Sequence, residues 1–465
     1  FEKELKSNGG TRPLIGQEMS SGYPDLDTGL PVLRYTRDLI TPQAWVGNSA
    51  YPGSDPAIFL EHHRAVTKRW AERLRFERGD ATAGFMLFAA ECWFSHSYEP
   101  ARAKPYPVVE AIREAFAPVG LALETGRRRF FSGEQLETGV FVINDDEQGR
   151  DLSELRIELG SPDPVTGAGR ELGRVPRVAY GEVVQVPVRI ALPKAGKRRR
   201  LPLTLRLMLG GKEFSRTTDW IEVLPAVDSV PIDATVFQVG LGPELARFLQ
   251  TTARFRSLAD PAEAGVLLCA KGGDLDGLKA GGALRAAVER GATAIVFSPG
   301  QSFTGFFASD LMDARVAPGE FADFAPCAGT KLAEGLAPMD LKWWGRRGDQ
   351  RVFVADTSHR LQAGGRAREL IRYIPPHSYI SEDKKAEQYR VVLAEIPIGH
   401  GRLWVCDLDL ESSVRVDPAA QRFTLNLLQA AADPASTKKL PENLSHEKLL
   451  KGPGKQGRQG SRQKD

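Results

Sequence analysis

A single carboxylate near the start of the chain, Glu18, follows the apolar residues Leu14 and Ile15 and precedes a turn marked by Gly22 and Pro24. This layout predicts a buried strand that ends in an acidic side chain at the mouth of a pocket. Parallel α/β barrels carry their chemistry on side chains at the carboxyl ends of their strands. An ordinary loop glutamate is the alternative interpretation of Glu18, and the elements that follow decide between the two.

Those elements alternate between strand and helix. We predict a strand at 13–17, a helix that begins at Pro56 after an N-cap at Asp55, a strand at 84–90 and a helix at 107–116. The first helix places four apolar side chains close to one face: Phe59, Val66, Trp70 and Leu74. Glu91 and Trp93 come directly after the second strand. This order resembles the last two βα units of a (β/α)8 barrel.

The hydrophobic pattern changes over residues 120–226. Short β-rich runs separated by turn residues lie at 130–131, 138–143, 155–159, 183–190, 201–209 and 220–223. This spacing predicts a β-sandwich. The basic run 197–200 lies between two of the β-rich runs, and we predict that it tops a solvated hairpin. A heparin-like or nucleic-acid patch is the less favoured alternative.

Residues 230–433 return to an α/β pattern. We predict strands at 235–239, 264–269, 292–297, 389–394 and 401–407, and helices at 243–249, 281–290 and 419–432. The last two strands are expected to pair around a turn at 399–401. A flavodoxin-like open sheet is the predicted arrangement.

Composition limits the function classes. A chain of 465 residues with 42% hydrophobic and 26% charged residues predicts a soluble protein of two to four domains without a membrane span. The net charge of +3 is unevenly distributed along the chain. Residues 436–465 carry eight basic and three acidic side chains, a net charge of +5, so the other 435 residues carry a net charge of −2. The body therefore has no basic surplus for nucleic acid, and the tail is expected to be disordered.

The four cysteines are Cys92, Cys269, Cys327 and Cys406, and they form neither a CxxC pair nor a zinc-ligand spacing. Cys269 and Cys406 end apolar runs, which predicts buried thiols that pack as small hydrophobic groups. No metal and no cofactor is expected.

The first half of the chain resembles glycoside hydrolase family 2, which contains β-galactosidases, β-mannosidases and β-glucuronidases. Residues 14–18 are similar to the seventh barrel strand of that family, which ends in the catalytic nucleophile. Residues 84–93 are similar to the eighth strand and 104–118 to the final helix, and a β-sandwich follows the barrel directly.

The resemblance implies a multidomain α/β plus all-β chain. Its expected parts are the C-terminal part of a (β/α)8 barrel at 1–119, an immunoglobulin-like β-sandwich at 120–228, a flavodoxin/amidotransferase-like open α/β domain at 229–434 and a disordered basic tail at 435–465. The implied activity is retaining β-glycoside hydrolysis with Glu18 as the nucleophile. The implied substrate-binding residues are Trp93, Tyr23, Trp45 and Glu91, and core packing is the alternative for each aromatic ring.

Two departures from the family matter. The eighth strand of mannosidase-like relatives carries a tryptophan where this chain has Phe88 and Ala89. The family's acid/base follows an asparagine about a hundred residues before the nucleophile in a typical barrel, whereas 17 residues precede Glu18. We therefore expect the sequence to be a fragment that lacks the acid/base and is inactive alone.

Two other functions compete with this hypothesis. Cys269 and His400 suggest a class I glutamine amidotransferase, but the Gly-x-Cys-x-Gly turn is absent and no glutamate lies two residues after His400. A non-catalytic carbohydrate-binding or scaffolding protein is the second alternative. The expected partner is a glycoside, oligosaccharide or polysaccharide, with neither nucleic acid nor membrane; a homo-oligomer stays open. The resemblance favours a bacterial periplasmic or secreted location, and a cytoplasmic one stays open.

Overall fold

A computed structural model of the chain describes residues 14–19, 24, 26–27, 29, 56–78, 82–87, 90–125, 127–160, 169–270, 275–299, 307–316, 323–326, 330–337, 340–341, 344, 354–355, 357–362, 364–374, 390–433 and 435–436. Of the residues singled out above, those outside the described residues are Gly22, Tyr23, Trp45, Asp55, Phe88, Ala89 and Cys327, and the predicted tail from 437 onward also lies outside them.

The first unit is built on two parallel strands. In chain order its elements are β1 (Leu14–Met19), α1 (Pro56–Phe76), β2 (Thr82–Leu87), a 3₁₀ helix (Ala90–Trp93), β3 (Phe94–Ser95), β4 (Lys104–Pro105) and α2 (Pro107–Ala115). β1 pairs with β2 in parallel, and α1 packs against α2. The predicted order of strand, helix, strand and helix is confirmed. Both helices begin at a proline because its fixed φ suits the first helical position.

Two antiparallel-rich sheets follow and pack face to face. The strands are β5 (Val119–Glu124), β6 (Arg129–Phe131), β7 (Gln135–Asn144), β8 (Leu152–Leu159), β9 (Arg170–Val178), β10 (Val183–Ala191), β11 (Arg199–Leu209) and β12 (Lys212–Leu224). One sheet has the order β10-β7-β5 and the other β6-β12-β11-β8-β9. Alternate residues of β11, such as Leu203, Leu205 and Leu207, point into the shared core. The predicted sandwich pattern is confirmed, and β5 and β9 are additional to the predicted runs.

The third unit is a mixed sheet with helices on both faces. Its strands are β13 (Val230–Val239), β14 (Ala253–Leu258), β15 (Val266–Ala270), β16 (Thr293–Phe297), β17 (Leu311–Val316), β18 (Asp323–Pro326), β19 (Thr357–Leu361), β20 (Arg368–Ile374), β21 (Arg390–Ile398) and β22 (Gly401–Cys406). Its helices are α3 (Pro243–Thr252), α4 (Ala283–Arg290), α5 (Leu410–Ser413) and α6 (Pro418–Ala432). Short 3₁₀ helices lie at Pro261–Glu263, Leu275–Leu278 and Lys331–Ala333.

The parallel side of the mixed sheet agrees with the predicted flavodoxin-like open sheet, because its five strands have the order 2-1-3-4-5 in chain numbering, and the antiparallel side is an addition to it. β14, β13, β15, β16 and β22 lie side by side and run parallel. β21 pairs antiparallel with β22, and β17, β18, β19 and β20 extend that side with antiparallel pairs. On the antiparallel side the pairing of β21 with β22 was predicted, whereas β17, β18, β19 and β20 were not, because they lie in short runs without clear periodicity. Buried residues of α3 and α6 cover one face, and those of α4 cover the other.

Charged residues of α1 are buried beside its alanines, which the predicted apolar face did not anticipate. Lys68 and Glu72 are buried, whereas Trp70 and Leu74 are half-buried; nothing is described of the side chains of the other two predicted residues. The apolar pattern does not reveal these charged residues, because the counter-charges that let a lysine and a glutamate leave water lie on neighbouring elements.

We call these counter-charged residues the Lys68 cluster: Lys68, Glu72, Glu114, Arg128, Thr217 and Asp219. Lys68 Nζ pairs with Glu72, donates to Thr217 Oγ1 at 2.6 Å and lies 3.6 Å from Glu114 Oε2. Arg128 Nη1 lies 3.1 Å from Asp219 Oδ1. The cluster therefore joins both helices of the first unit to β12 of the sandwich. Nearby, the rings of Phe76 and Phe141 stack with centroids 4.1 Å apart.

A second buried group, the Arg129 junction, joins the sandwich to the mixed sheet: Arg129, Arg198, Asp340 and Asp417. Arg129 Nε donates to Asp417 Oδ1 at 3.1 Å, and Arg129 Nη1 lies 3.7 Å from Asp340 Oδ1. Both Arg198 Nη atoms donate to the carboxylate of Asp340 at 2.7 Å. Asp417 also accepts from Ala419 N at 2.8 Å and so caps α6. One aspartate thus serves both the helix cap and the contact between units.

The basic run 197–200 does not top a hairpin, which corrects that prediction. β10 and β11 belong to different sheets, so the run crosses from one sheet to the other. Arg198 is engaged in the Arg129 junction, and Arg200 Nη2 lies 2.8 Å from Glu61 Oε1 on α1. Two of these basic side chains therefore hold the sandwich to the units on either side.

Among the helices that the structure describes, none is long and apolar enough to cross a bilayer.

Candidate functional site

The carboxyl ends of β1 and β2 form one edge, at which three of the predicted site residues lie. The strands pair in parallel from Leu14 opposite Thr82 to Met19 opposite Leu87. Glu18 lies on β1 one residue before this last pair; its side chain is not among the described parts. Glu91 and Trp93 lie on the 3₁₀ helix that begins three residues after β2 ends.

The backbone of β1 is irregular at Glu18. Gly16 pairs with Phe85 and Met19 pairs with Leu87, so β1 has one more residue than β2 between these pairs. An extra residue of this kind is a bulge, and bulges re-aim side chains next to functional sites. The sequence gives no sign of this bulge, because register depends on the partner strand.

The predicted binding residues fall into two groups. Glu91 and Trp93 are both half-buried, and the carbonyl oxygen of Trp93 accepts from Tyr106 N at 2.8 Å. That bond ties the 3₁₀ helix to the start of α2. Tyr23 and Trp45 lie outside the described residues, so their role stays a prediction.

The loops after β1 and β2 touch each other through His96. Its backbone N donates to Leu26 O at 2.6 Å, and its Nδ1 lies 2.9 Å from Asp27 Oδ1. The φ angle of His96 is 49°, in the left-handed region that residues other than glycine seldom adopt. These residues were not among those that the sequence indicated, because neither the φ angle nor the contact can be deduced from local pattern. The contact joins residues 26–27, which follow β1, to the turn that follows β2.

Among the described residues, no group of three or more histidine, cysteine, aspartate and glutamate side chains is placed to hold a metal ion.

Cys269 and His400, the pair that suggested an amidotransferase, lie far apart in the mixed sheet. Cys269 lies near the carboxyl end of β15, whereas His400 lies in the turn before β22. Because β15, β16 and β22 run parallel, the two residues lie at opposite edges of the sheet. Cys269 is fully buried, and burial raises the pKa of its thiol to about 12. Cys406 is equally buried, with its pKa also raised by burial to about 12. Both thiols are buried, as predicted.

We predict that iodoacetamide leaves Cys269 and Cys406 unmodified in the native chain at neutral pH. Burial blocks access, and a pKa near 12 lowers the thiolate fraction roughly a thousandfold relative to an ordinary cysteine. Mass spectrometry of peptides after timed labelling measures this, with urea-unfolded protein as the control in which both cysteines react. Rapid native labelling of Cys269 would contradict its interpretation as a packed core residue.

No protein-family model matches the chain, and no curated protein matches its sequence. Solved structures that match parts of it include glycoside hydrolases. A β-galactosidase from Rahnella sp. R3 is 12% identical, with 47% of this chain and 32% of that chain covered and a TM-score of 0.26. A β-galactosidase from Bacillus circulans sp. alkalophilus is 12% identical, with 44% and 31% covered and a TM-score of 0.24.

A Salmonella α-2-macroglobulin is 16% identical, with 29% of this chain and 10% of that chain covered and a TM-score of 0.19. The chain thus spans a third or less of the length of each of these three proteins. TM-scores of this size do not establish a shared fold, so an assignment of function has to rest on the residues of the site.

Proposed function

We propose that Glu18 is the nucleophile of a retaining β-glycoside hydrolase, of which this chain carries one of the two catalytic carboxyl groups. One observation carries the proposal: Glu18 lies on a bulge at the carboxyl end of a parallel strand, beside the turn that follows the neighbouring strand. Carboxylates at such edges are where α/β barrels carry out catalysis. The motif resemblance of residues 14–18 and 84–93 supports the same assignment.

In this mechanism a Glu18 oxygen attacks the anomeric carbon as the glycosidic bond breaks. The leaving oxygen takes a proton from a second carboxyl group, which in retaining enzymes lies about 5–5.5 Å from the nucleophile. Water then attacks the same carbon, the bond to Glu18 breaks, and the second carboxylate receives the proton from the water. The resemblance assigns that second group to another strand of the barrel, after an asparagine.

Aromatic and polar side chains around the edge would bind the sugar. We assign the ring of Trp93 to stacking on the sugar face and Glu91 to its hydroxyl groups, since both lie on the turn after β2. Tyr23 and Trp45 remain candidates for the same role. The substrate class is a glycoside, oligosaccharide or polysaccharide.

We extend the proposal to the domain organisation. Residues 1–119 would be the C-terminal part of a (β/α)8 catalytic barrel, 120–228 an immunoglobulin-like sandwich and 229–434 a non-catalytic accessory domain related to amidotransferases. The separation of Cys269 from His400 supports the non-catalytic role.

The test uses 2-deoxy-2-fluoro-β-glycosides of galactose, mannose, glucose and glucuronic acid with a dinitrophenolate leaving group. This group departs without a general acid, so the formation of the glycosyl-enzyme can be observed without the acid/base and in a chain that does not turn over glycosides. We expect one of the four sugars to release one equivalent of dinitrophenolate and to add one glycosyl group to the intact mass. Glu18→Gln should abolish both signals because an amide is a poor nucleophile.

Glu91→Gln is the matched control, since it removes a carboxylate at the same edge while leaving the proposed nucleophile in place. It should label more slowly and still reach one equivalent. Equal labelling of the wild type and Glu18→Gln would refute the assignment. Saccharide binding without labelling by any of the four sugars would instead favour the non-catalytic carbohydrate-binding protein.

A further inference from the structure

The loop that follows β2 folds back as a small hairpin, residues 94–105, at the edge that carries Glu18. Phe94 pairs with Pro105 and Ser95 with Lys104 in antiparallel register. The hairpin begins directly after the 3₁₀ helix Ala90–Trp93, so its base is attached to the turn that bears two of the proposed sugar-binding residues.

The tip of this hairpin is held in place by its own hydrogen bonds. Glu99 N donates to His96 O at 2.8 Å, and Arg102 N and Ala103 N donate to Glu99 O at 2.8 and 3.0 Å. Arg102 Nη1 donates to both carboxylate oxygens of Glu99 at 2.9 Å. His96 fastens the tip to the loop after β1 through Leu26 O at 2.6 Å.

Tyr98 projects from this ordered tip into solvent. It is 71% exposed, which makes it the most exposed of the large hydrophobic side chains that the structure describes. The neighbouring non-glycine residue His96 has a φ of 49°, and strained backbone of this kind concentrates at ligand-binding sites. An exposed tyrosine on a fixed backbone has few side-chain torsions to immobilise when it binds a partner.

We propose that Tyr98 is a binding residue for a saccharide ring, at a subsite next to the proposed glycosidase site. The inference rests on the proposed function for its ligand class. The tyrosine ring offers an apolar face for the C–H groups of the sugar. Glu99 and Arg102, each more than half exposed, offer an acceptor and donors beside it for hydroxyl groups.

The test is calorimetric titration of the full chain with three β-linked disaccharides: lactose, cellobiose and β-1,4-mannobiose. We expect at least one to bind, and Tyr98→Ala to weaken that binding about tenfold, as loss of an aromatic contact worth about 1.4 kcal/mol would do. Tyr98→Phe, which keeps the ring, should stay within about twofold of the wild type. Tyr180→Ala is the matched control, because Tyr180 is also exposed, at 56%, but lies on the sandwich.

The outcomes separate this proposal from the proposed function. Tyr98-dependent binding in a protein that no fluoroglycoside labels would support the subsite and reject the hydrolase. Labelling at Glu18 with unchanged disaccharide binding by Tyr98→Ala would reject the subsite and leave the hydrolase. Absence of binding by all three disaccharides overturns the subsite. So does a lower sedimentation coefficient of Tyr98→Ala alone, since it would place Tyr98 in a protein–protein contact.

Discussion

Replacing Arg129 by methionine should lower the free energy of unfolding of the chain by about 3–5 kcal/mol. Arg129 is 1% exposed and is paired with Asp417, whose carboxylate is buried as well. Burial raises the pKa of Asp417, and the Arg129 guanidinium opposes that rise. Without the arginine, the aspartate must either take up a proton or remain as an uncompensated buried charge. The loss of stability is large because Asp417 stays removed from water after its ion-pair partner has been deleted.

Urea denaturation of the full chain measures this effect. Arg189→Met is the matched control, because Arg189 pairs with Glu137 at 3.2 Å on the exposed surface of the sandwich, and such pairs contribute about 0–1 kcal/mol. Combining Arg129→Met with Asp417→Asn should recover part of the loss, since asparagine still caps α6 but carries no charge. A loss below about 1 kcal/mol for Arg129→Met would contradict the role of the Arg129 junction.

The second large effect is a dependence of stability on pH that arises from Glu72. Burial raises its pKa from 4.5 to about 7, although Lys68 and Arg128 oppose the rise. The folded chain therefore holds a proton on Glu72 that the unfolded chain releases between these values. The stability that this retained proton contributes is complete below pH 4.5 and is lost as the pH rises through about 7. A shift of this size corresponds to about 3 kcal/mol.

The measurement compares the free energies of unfolding of the wild type and Glu72→Gln between pH 5 and pH 8 (roughly the window that the shift defines). The difference, wild type minus variant, should fall by about 2–3 kcal/mol as the pH rises, because glutamine does not titrate. Glu77→Gln is the control, since Glu77 follows α1, is 40% exposed in its side chain and pairs with Arg73 at 2.8 Å. A constant difference for Glu72→Gln would show that Glu72 keeps the same charge throughout.

Sequence pattern predicted the elements that local chemistry specifies. Pro56, Pro107, Pro243 and Pro418 each begin a helix close to the predicted residue, because proline suits the first helical position and excludes interior ones. The predicted pairing of the last two strands is confirmed by the antiparallel register of β21 and β22.

Several features were not predicted because they depend on contacts between charged residues that are distant in sequence. The charged buried face of α1 depends on Asp219 and Thr217, which lie about a hundred and fifty residues further along the chain. Arg198 has its partner in the mixed sheet. A single charged residue in a sequence indicates a solvated surface, and only the folded chain shows that an opposite charge meets it.

In the candidate site, too, sequence pattern predicted the local features and missed those that depend on distant contacts. The alternation of strand and helix was enough to predict that Glu18 lies at the end of one strand and that Glu91 and Trp93 follow a second strand. The bulge in β1 and the left-handed backbone of His96 were not predictable, because both depend on contacts between loops and strands that are distant in sequence.

The most direct test of the central claim is peptide mapping of the chain after reaction with the fluoroglycoside that labels it. Digestion and tandem mass spectrometry should place the glycosyl group on the carboxylate of Glu18, with an ester bond that hydroxylamine cleaves. An adduct on Glu91 or on any other carboxylate, with Glu18 unmodified, would contradict the assignment of the nucleophile.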